Sequence, residues 1–141
     1  MRTGKITLTI ESRFENVFLV GLAVNRITSS ISLSEQLAFE MEVAAVEAVN
    51  NAVEHAHHHQ ANKRITVRVQ LNSDHIQFTI VDRGEPIDFE RVMSGSTPAA
   101  STGEPERGRG LKIIKGLMDE VRYKRKGATN QITLVKYLKR A

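Results

Sequence analysis

Glu47 and Asn51 stand four residues apart in the stretch Leu37–His55, whose apolar positions recur at helical spacing. On a helical wheel Ala44, Leu37, Ala48, Met41, Ala52, Ala45, Ala38 and Val49 fill a broad arc. Val53, Val46, Phe39 and Val43 widen it, and Glu42 and Asn50 interrupt it. Glu40, Glu47, Asn51 and Glu54 gather instead in a polar stripe roughly 60° wide. A carboxylate and a carboxamide one turn apart offer the oxygen ligands that a hydrated divalent cation prefers, and the carboxylate can act as a general base. The same stripe is also what a solvent-facing helix edge looks like, so the wheel leaves both readings open.

Two glycine-bearing motifs follow. Asp82-Arg83-Gly84-Glu85-Pro86 closes an alternating apolar segment. An Asp leaving a sheet there can accept a hydrogen bond from a ligand amine, and Gly84 lets that ligand approach the backbone. An ordinary turn fits the same residues. Gly108-Arg109-Gly110-Leu111 then precedes a short amphipathic stretch. Glycines opening a helix expose backbone N–H groups to an anion. A flexible loop ahead of a helix is the simpler alternative. The chain has no G-x-x-x-x-G-K-[ST] phosphate loop, no G-x-G-x-x-G after its first strand and no G-x-S-x-G elbow.

The elements that must position these residues can be read from periodicity. Period-two alternation predicts five strands, around Ile6-Leu8-Ile10, Ile65-Val67-Val69-Leu71, Ile76-Phe78-Ile80, Val121-Tyr123 and Ile132-Leu134. Asn72-Ser73-Asp74 and Gly127-Ala128-Thr129-Asn130 read as the hairpin links. Helices are predicted over Phe14–Ile31, from an N-cap at Ser34 to about His55, and over Gly110–Met118. Ser94–Arg107, rich in Ser, Thr, Gly, Pro and Ala, is left as a long loop. The order β-α-α-β-β-loop-α-β-β predicts an α+β two-layer sandwich, with a mixed, mostly antiparallel sheet and the helices on one face.

Composition narrows the classes. At 141 residues the chain is expected to form one domain, 1–141; 40% apolar and 26% charged residues suit a globular protein. With no Cys there is no disulfide scaffold, thiolate metal site or cysteine nucleophile. The N-terminus lacks the apolar stretch of a signal peptide, and no run reaches the ~20 apolar residues of a membrane span. The expectation is a cytoplasmic protein without membrane contact. Net charge is a mild +4. In the basic run Arg122-Tyr123-Lys124-Arg125-Lys126, alternation sends Arg122, Lys124 and Lys126 to the solvated face of a strand. Two Tyr and no Trp supply little base stacking, so no nucleic-acid partner is expected. His55, His57, His58 and His59 read as a solvated loop rather than a closed metal site.

Taken together and in order, the motifs resemble the GHKL ATP-binding superfamily of gyrases, heat-shock chaperones, histidine kinases and mismatch-repair ATPases, across almost the whole chain. Within it, Glu47-Ala48-Val49-Asn50-Asn51-Ala52-Val53-Glu54-His55-Ala56 is similar to the N-box of the anti-sigma serine/threonine kinases. Asp82-Arg83-Gly84-Glu85-Pro86-Ile87-Asp88 resembles their adenine box. Gly108-Arg109-Gly110-Leu111-Lys112-Ile113-Ile114 resembles their second glycine box.

That resemblance implies ATP and Mg²⁺ as cofactors, with Asn51 coordinating the metal and Glu47 taking the proton of a substrate hydroxyl. It implies Asp82 on the adenine amine with Gly84 beside the base. His55, Arg107, Gly108, Arg109, Gly110 and Leu111 would lie around the nucleotide, under an ATP lid at about 94–107. The implied activity is phosphorylation of a Ser or Thr on a STAS-domain anti-sigma antagonist, together with sequestration of a sigma factor, in a possible homodimer. The alternative is a catalytically inactive nucleotide-binding module that switches partners by binding alone.

Overall fold

The computed structural model describes residues 3–56, 60, 62–93 and 105–138. Strand β1 (Gly4–Glu11) leads into helix α1 (Phe14–Ser29) and helix α2 (Glu35–Asn51), which continues into a π-helical turn (Ala52–Ala56). Strands β2 (Arg64–Leu71) and β3 (His75–Asp82) form a hairpin. Helices α3 (Phe89–Met93) and α4 (Pro105–Leu117) follow, and the hairpin of β4 (Glu120–Lys126) and β5 (Thr129–Tyr137) closes the fold. The sheet order is β1-β2-β3-β5-β4, and every ladder is antiparallel.

The five expected strands are all present, and the physical cause is the alternation itself. Ile65, Val67, Val69 and Leu71 of β2 and Ile76, Phe78 and Ile80 of β3 are buried, whereas Arg64 and Arg68 are exposed. Each such side chain taken from water contributes about 1.5–3 kcal/mol. The helices meet that face with Val17, Val20 and Val24 of α1 and Met41, Ala44, Ala45, Ala48 and Val49 of α2, forming one core. The alanines thin α2 enough to lie close to its neighbours. Glu42, which interrupts the apolar arc, accepts a hydrogen bond from Asn25 Nδ2 at 2.9 Å and ties α2 to α1.

Ser34 is the N-cap expected for α2, its hydroxyl accepting from the Leu37 N–H at 3.0 Å. Gly127 turns the β4–β5 hairpin at φ 61°, a conformation that favours glycine. Two boundaries differ from expectation. α3 is a short helix that periodicity does not reveal over five residues. α4 starts at Pro105, not at Gly110, so the glycines of Gly108-Arg109-Gly110 lie inside the helix rather than ahead of it. Proline at a first helical position carries a preset φ and has no N–H to satisfy, which favours the earlier start. The expected loop 94–107 accordingly ends in helix; its 94–104 portion lies outside the described residues, as do 57–59 of the histidine tract. Among the described residues no helix is long and apolar enough to cross a membrane.

Candidate functional site

α2 and α4 build one half of the site. Glu47 and Asn51 lie half-buried on one face of α2, and Gly110 of α4 is seated directly over them. A Cβ at Gly110 would come within 3.1 Å of Glu47 Oε2 and 3.3 Å of Asn51 Nδ2. The Glu47–Asn51 part of the stripe on α2 is therefore covered by another helix and is not simply a wetted edge. Burial pushes the Glu47 carboxyl above its ordinary value, because the charged form loses hydration. Asn51 Nδ2 is buried with no hydrogen-bond partner among the described residues. Such an orphan costs about 1–3 kcal/mol when nothing pairs it, so the protein holds an unspent polar group where a ligand would use it.

β3 and the β4–β5 hairpin build the other half. Asp82 ends β3 at 5% exposure, and its Oδ1 accepts from the Gly84 N–H at 2.8 Å, which shapes the turn that follows. The register sets Asn130 of β5 opposite both Asp82 and Arg125. Asn130, 2% exposed, donates from Nδ2 to Asp82 Oδ1 at 2.8 Å and to the Glu85 carbonyl at 2.9 Å. Its Oδ1 accepts from the Tyr123 hydroxyl at 2.5 Å and from Arg125 at 2.9 Å. Arg125 also donates to the Gly84 carbonyl at 2.9 Å, and the Ile87 N–H donates to the Tyr123 oxygen at 3.3 Å. The Tyr123 ring stacks on Phe89 of α3 with centroids 5.6 Å apart. The turn after Asp82 is thus fastened to the hairpin by three side chains.

The structure brings Glu47, Asn51 and Gly110 together, and sets Asp82 with Gly84 at the end of the central strand β3. Leu111, placed around the nucleotide by resemblance, is 1% exposed, and its side chain belongs to the hydrophobic core that seats α4. The backbones of His55, Arg107, Gly108 and Arg109 lie in helical turns, and the side chains of His55, Arg107 and Arg109 lie outside the described parts. Arg122, Lys124 and Lys126 are exposed as alternation required. Asn130, Tyr123 and Arg125 were missed. A partial signal existed: parity places Tyr123 and Arg125 on the face opposite Arg122 and Lys124, where Tyr123 is half-buried and Arg125 exposed, and Asn130 shares its face with Ile132 and Leu134.

A half-buried acid–amide pair under a glycine, and an Asp at the end of the central strand, lie on a topology whose sequence profile is that of a histidine kinase-like ATPase domain, matched over residues 10–136. Serine-protein kinase RsbW of Staphylococcus epidermidis is 32% identical over 141 residues, covering 96% of this chain and 87% of that protein. The RsbW proteins of Oceanobacillus iheyensis and Bacillus subtilis are 29% and 26% identical, covering 83% and 94% of this chain and 77% and 85% of their own lengths. A crystal structure of the RsbU and RsbW domains of a Mycobacterium tuberculosis protein shares the fold, with a TM-score of 0.68 at 18% identity over 95% of this chain and 32% of that one. The chain belongs to the histidine kinase-like ATPase family, among its anti-sigma serine-protein kinases of the RsbW type.

Proposed function

We propose that this chain binds ATP with Mg²⁺ and transfers the terminal phosphoryl group to a Ser or Thr of a STAS-domain antagonist, while its other partner is a sigma factor. The observation that carries this is the Glu47–Asn51 pair enclosed by Gly110, with the Asn51 amide buried and unpartnered. The donor set fits the group. Magnesium favours oxygen ligands and is commonly held by one or two protein side chains plus substrate phosphates. The Asn51 carboxamide offers its oxygen to such an ion, or its N–H to a phosphate oxygen. Bound nucleotide and metal supply the transferable group and neutralise its charge.

The chain's own part is positioning and proton handling. Asp82 accepts from the adenine amine, and Gly84 leaves room for the base. Glu47 receives the proton of the attacking hydroxyl, a task its raised pKa suits. Phosphate added to the antagonist introduces charge at a packed interface and releases it, which leaves the sigma factor captured. Calorimetry with ATP, with and without Mg²⁺, tests the binding half, and transfer of labelled phosphate to STAS proteins tests the other. Binding without transfer to any of them would replace the kinase with a binding-only switch.

A homodimer is part of the same proposal. Phe14, Phe18 and Leu22 form an exposed i, i+4, i+8 row on α1, with Leu19 beside it. Phe18 and Leu22 are 66% and 59% exposed, which is unusual for apolar side chains aligned in one patch. Phe18→Glu is expected to leave ATP affinity unchanged and to shift sedimentation from dimer to monomer. An unchanged sedimentation coefficient would remove α1 from the interface.

A further inference from the structure

The most heavily hydrogen-bonded side chain of the described residues around the site is one that no catalytic role requires. Asn130 has two N–H donors and one carbonyl oxygen, and the protein uses all of them. The polarity of this arrangement is forced. Arg125 can only donate, so the carbonyl end of Asn130 must face it. The amide end must then face Asp82, and Asp82 Oδ1 must be an acceptor, as it also is toward the Gly84 N–H. A flipped amide would set N–H groups against the guanidinium and a carbonyl against the carboxylate. Both Asp82 and Asn130 are buried, so water cannot soften such a mismatch.

We infer that Asn130, oriented by Tyr123 and Arg125, is a positioning residue that locks Asp82 as a hydrogen-bond acceptor and so makes the site select 6-amino over 6-oxo purines. This rests on the reading above that Asp82 meets the purine ring. A 6-amino purine brings N–H donors to that acceptor. A 6-oxo purine brings a second acceptor, and two facing acceptors in a dry site repel. Selectivity then originates two residues behind the ligand, in Arg125 and Tyr123, which fix the direction of the chain of hydrogen bonds. The same contacts hold the Gly84 and Glu85 carbonyls, so the turn on which the base would lie is set by the hairpin.

The test compares ATP with inosine triphosphate, which differ at the 6-position, by calorimetry on the wild type, Asp82→Asn and Asn130→Asp. The wild type is expected to prefer ATP at least tenfold. Asn130→Asp puts two carboxyl groups at hydrogen-bond distance, where they share a proton and the pair gains a donor. Its preference for ATP is expected to shrink at least tenfold, through weaker ATP binding with inosine triphosphate binding kept or improved. Equal weakening of both nucleotides, or an unchanged ratio, overturns the inference, because a merely structural role cannot discriminate between them. If Asn130→Asp does not fold, the double variant Tyr123→Phe, Arg125→Met removes both orienting donors with Asn130 in place, and an unchanged ratio there overturns it equally. A wild type that binds neither nucleotide, or an Asp82→Asn variant with wild-type ATP affinity, instead overturns the nucleotide-site reading on which it rests.

Discussion

Glu47→Gln is expected to lower phosphoryl transfer by about 10²–10⁴-fold, the usual contribution of a positioned general base, while leaving ATP affinity within a few-fold of wild type. The amide keeps the shape of the side chain and its oxygen, and loses only the ability to take a proton. Two pH signatures accompany the loss. Burial holds the Glu47 carboxyl above its ordinary value, so the fall of wild-type transfer on acidification sets in at a higher pH than an ordinary glutamate would give. The residual activity of the variant lacks that limb.

Stability moves in the opposite direction. A carboxyl whose folded-state pKa is raised favours folding only below its unfolded value, and that contribution is lost as pH rises through the folded value. Once ionised, Glu47 therefore works against the fold, and Glu47→Gln should melt above the wild type at pH 7, with the difference shrinking on acidification. Transfer by the variant at the wild-type rate would mean that Glu47 is not the base. A lower melting temperature at pH 7 would mean that its carboxylate is stabilised by contacts rather than burdened by burial.

The division between what the sequence discloses and what it hides follows the range of the interactions. Strands with strict alternation, such as Ile76-Phe78-Ile80, announce themselves because each residue's face depends only on its neighbours. The Ser34 cap is equally local. Glu47 and Asn51 are visible as a pair because helix geometry alone places them on one face. Their enclosure is not, since it depends on α4, which lies nearly sixty residues downstream and begins at Pro105 rather than at the glycines. Treating Gly110 as the start of a helix gives it a role through exposed N–H groups. Its position inside α4 gives it a different one, as the residue without a side chain that lets two helices close over polar groups. Asn130 was hidden for the same reason. Its meaning lies in the register between β3 and β5, which brings together residues 48 positions apart.

That reinterpretation of Gly110 carries the second large expectation. In Gly110→Ala the new methyl group would lie 3.1 Å from Glu47 Oε2 and 3.3 and 3.4 Å from Asn51 Nδ2 and Oδ1. All three are the ends of side chains, so they give way and the backbone need not. The fold is therefore retained, and alanine inside α4 adds helix propensity worth up to about 1 kcal/mol. The side chains that give way are the proposed base and metal ligand. Contacts at 3.1–3.4 Å call for a shift of a few tenths of an ångström, short of the about 1 Å that costs on the order of 10²-fold in rate, so Gly110→Ala should retain or raise the melting temperature while losing transfer by roughly tenfold and weakening ATP binding a few-fold. Gly116 supplies the control. It is exposed in the same helix, and a Cβ there meets nothing within 4 Å, so Gly116→Ala gains the same propensity with activity unchanged. If both glycine variants transfer phosphate equally well, α4 does not close on Glu47 and Asn51 during turnover. If Gly110→Ala alone loses transfer and still folds, the contact between α4 and α2 is a constraint of the chemistry and not of the fold, because the fold tolerates the methyl group that the site does not.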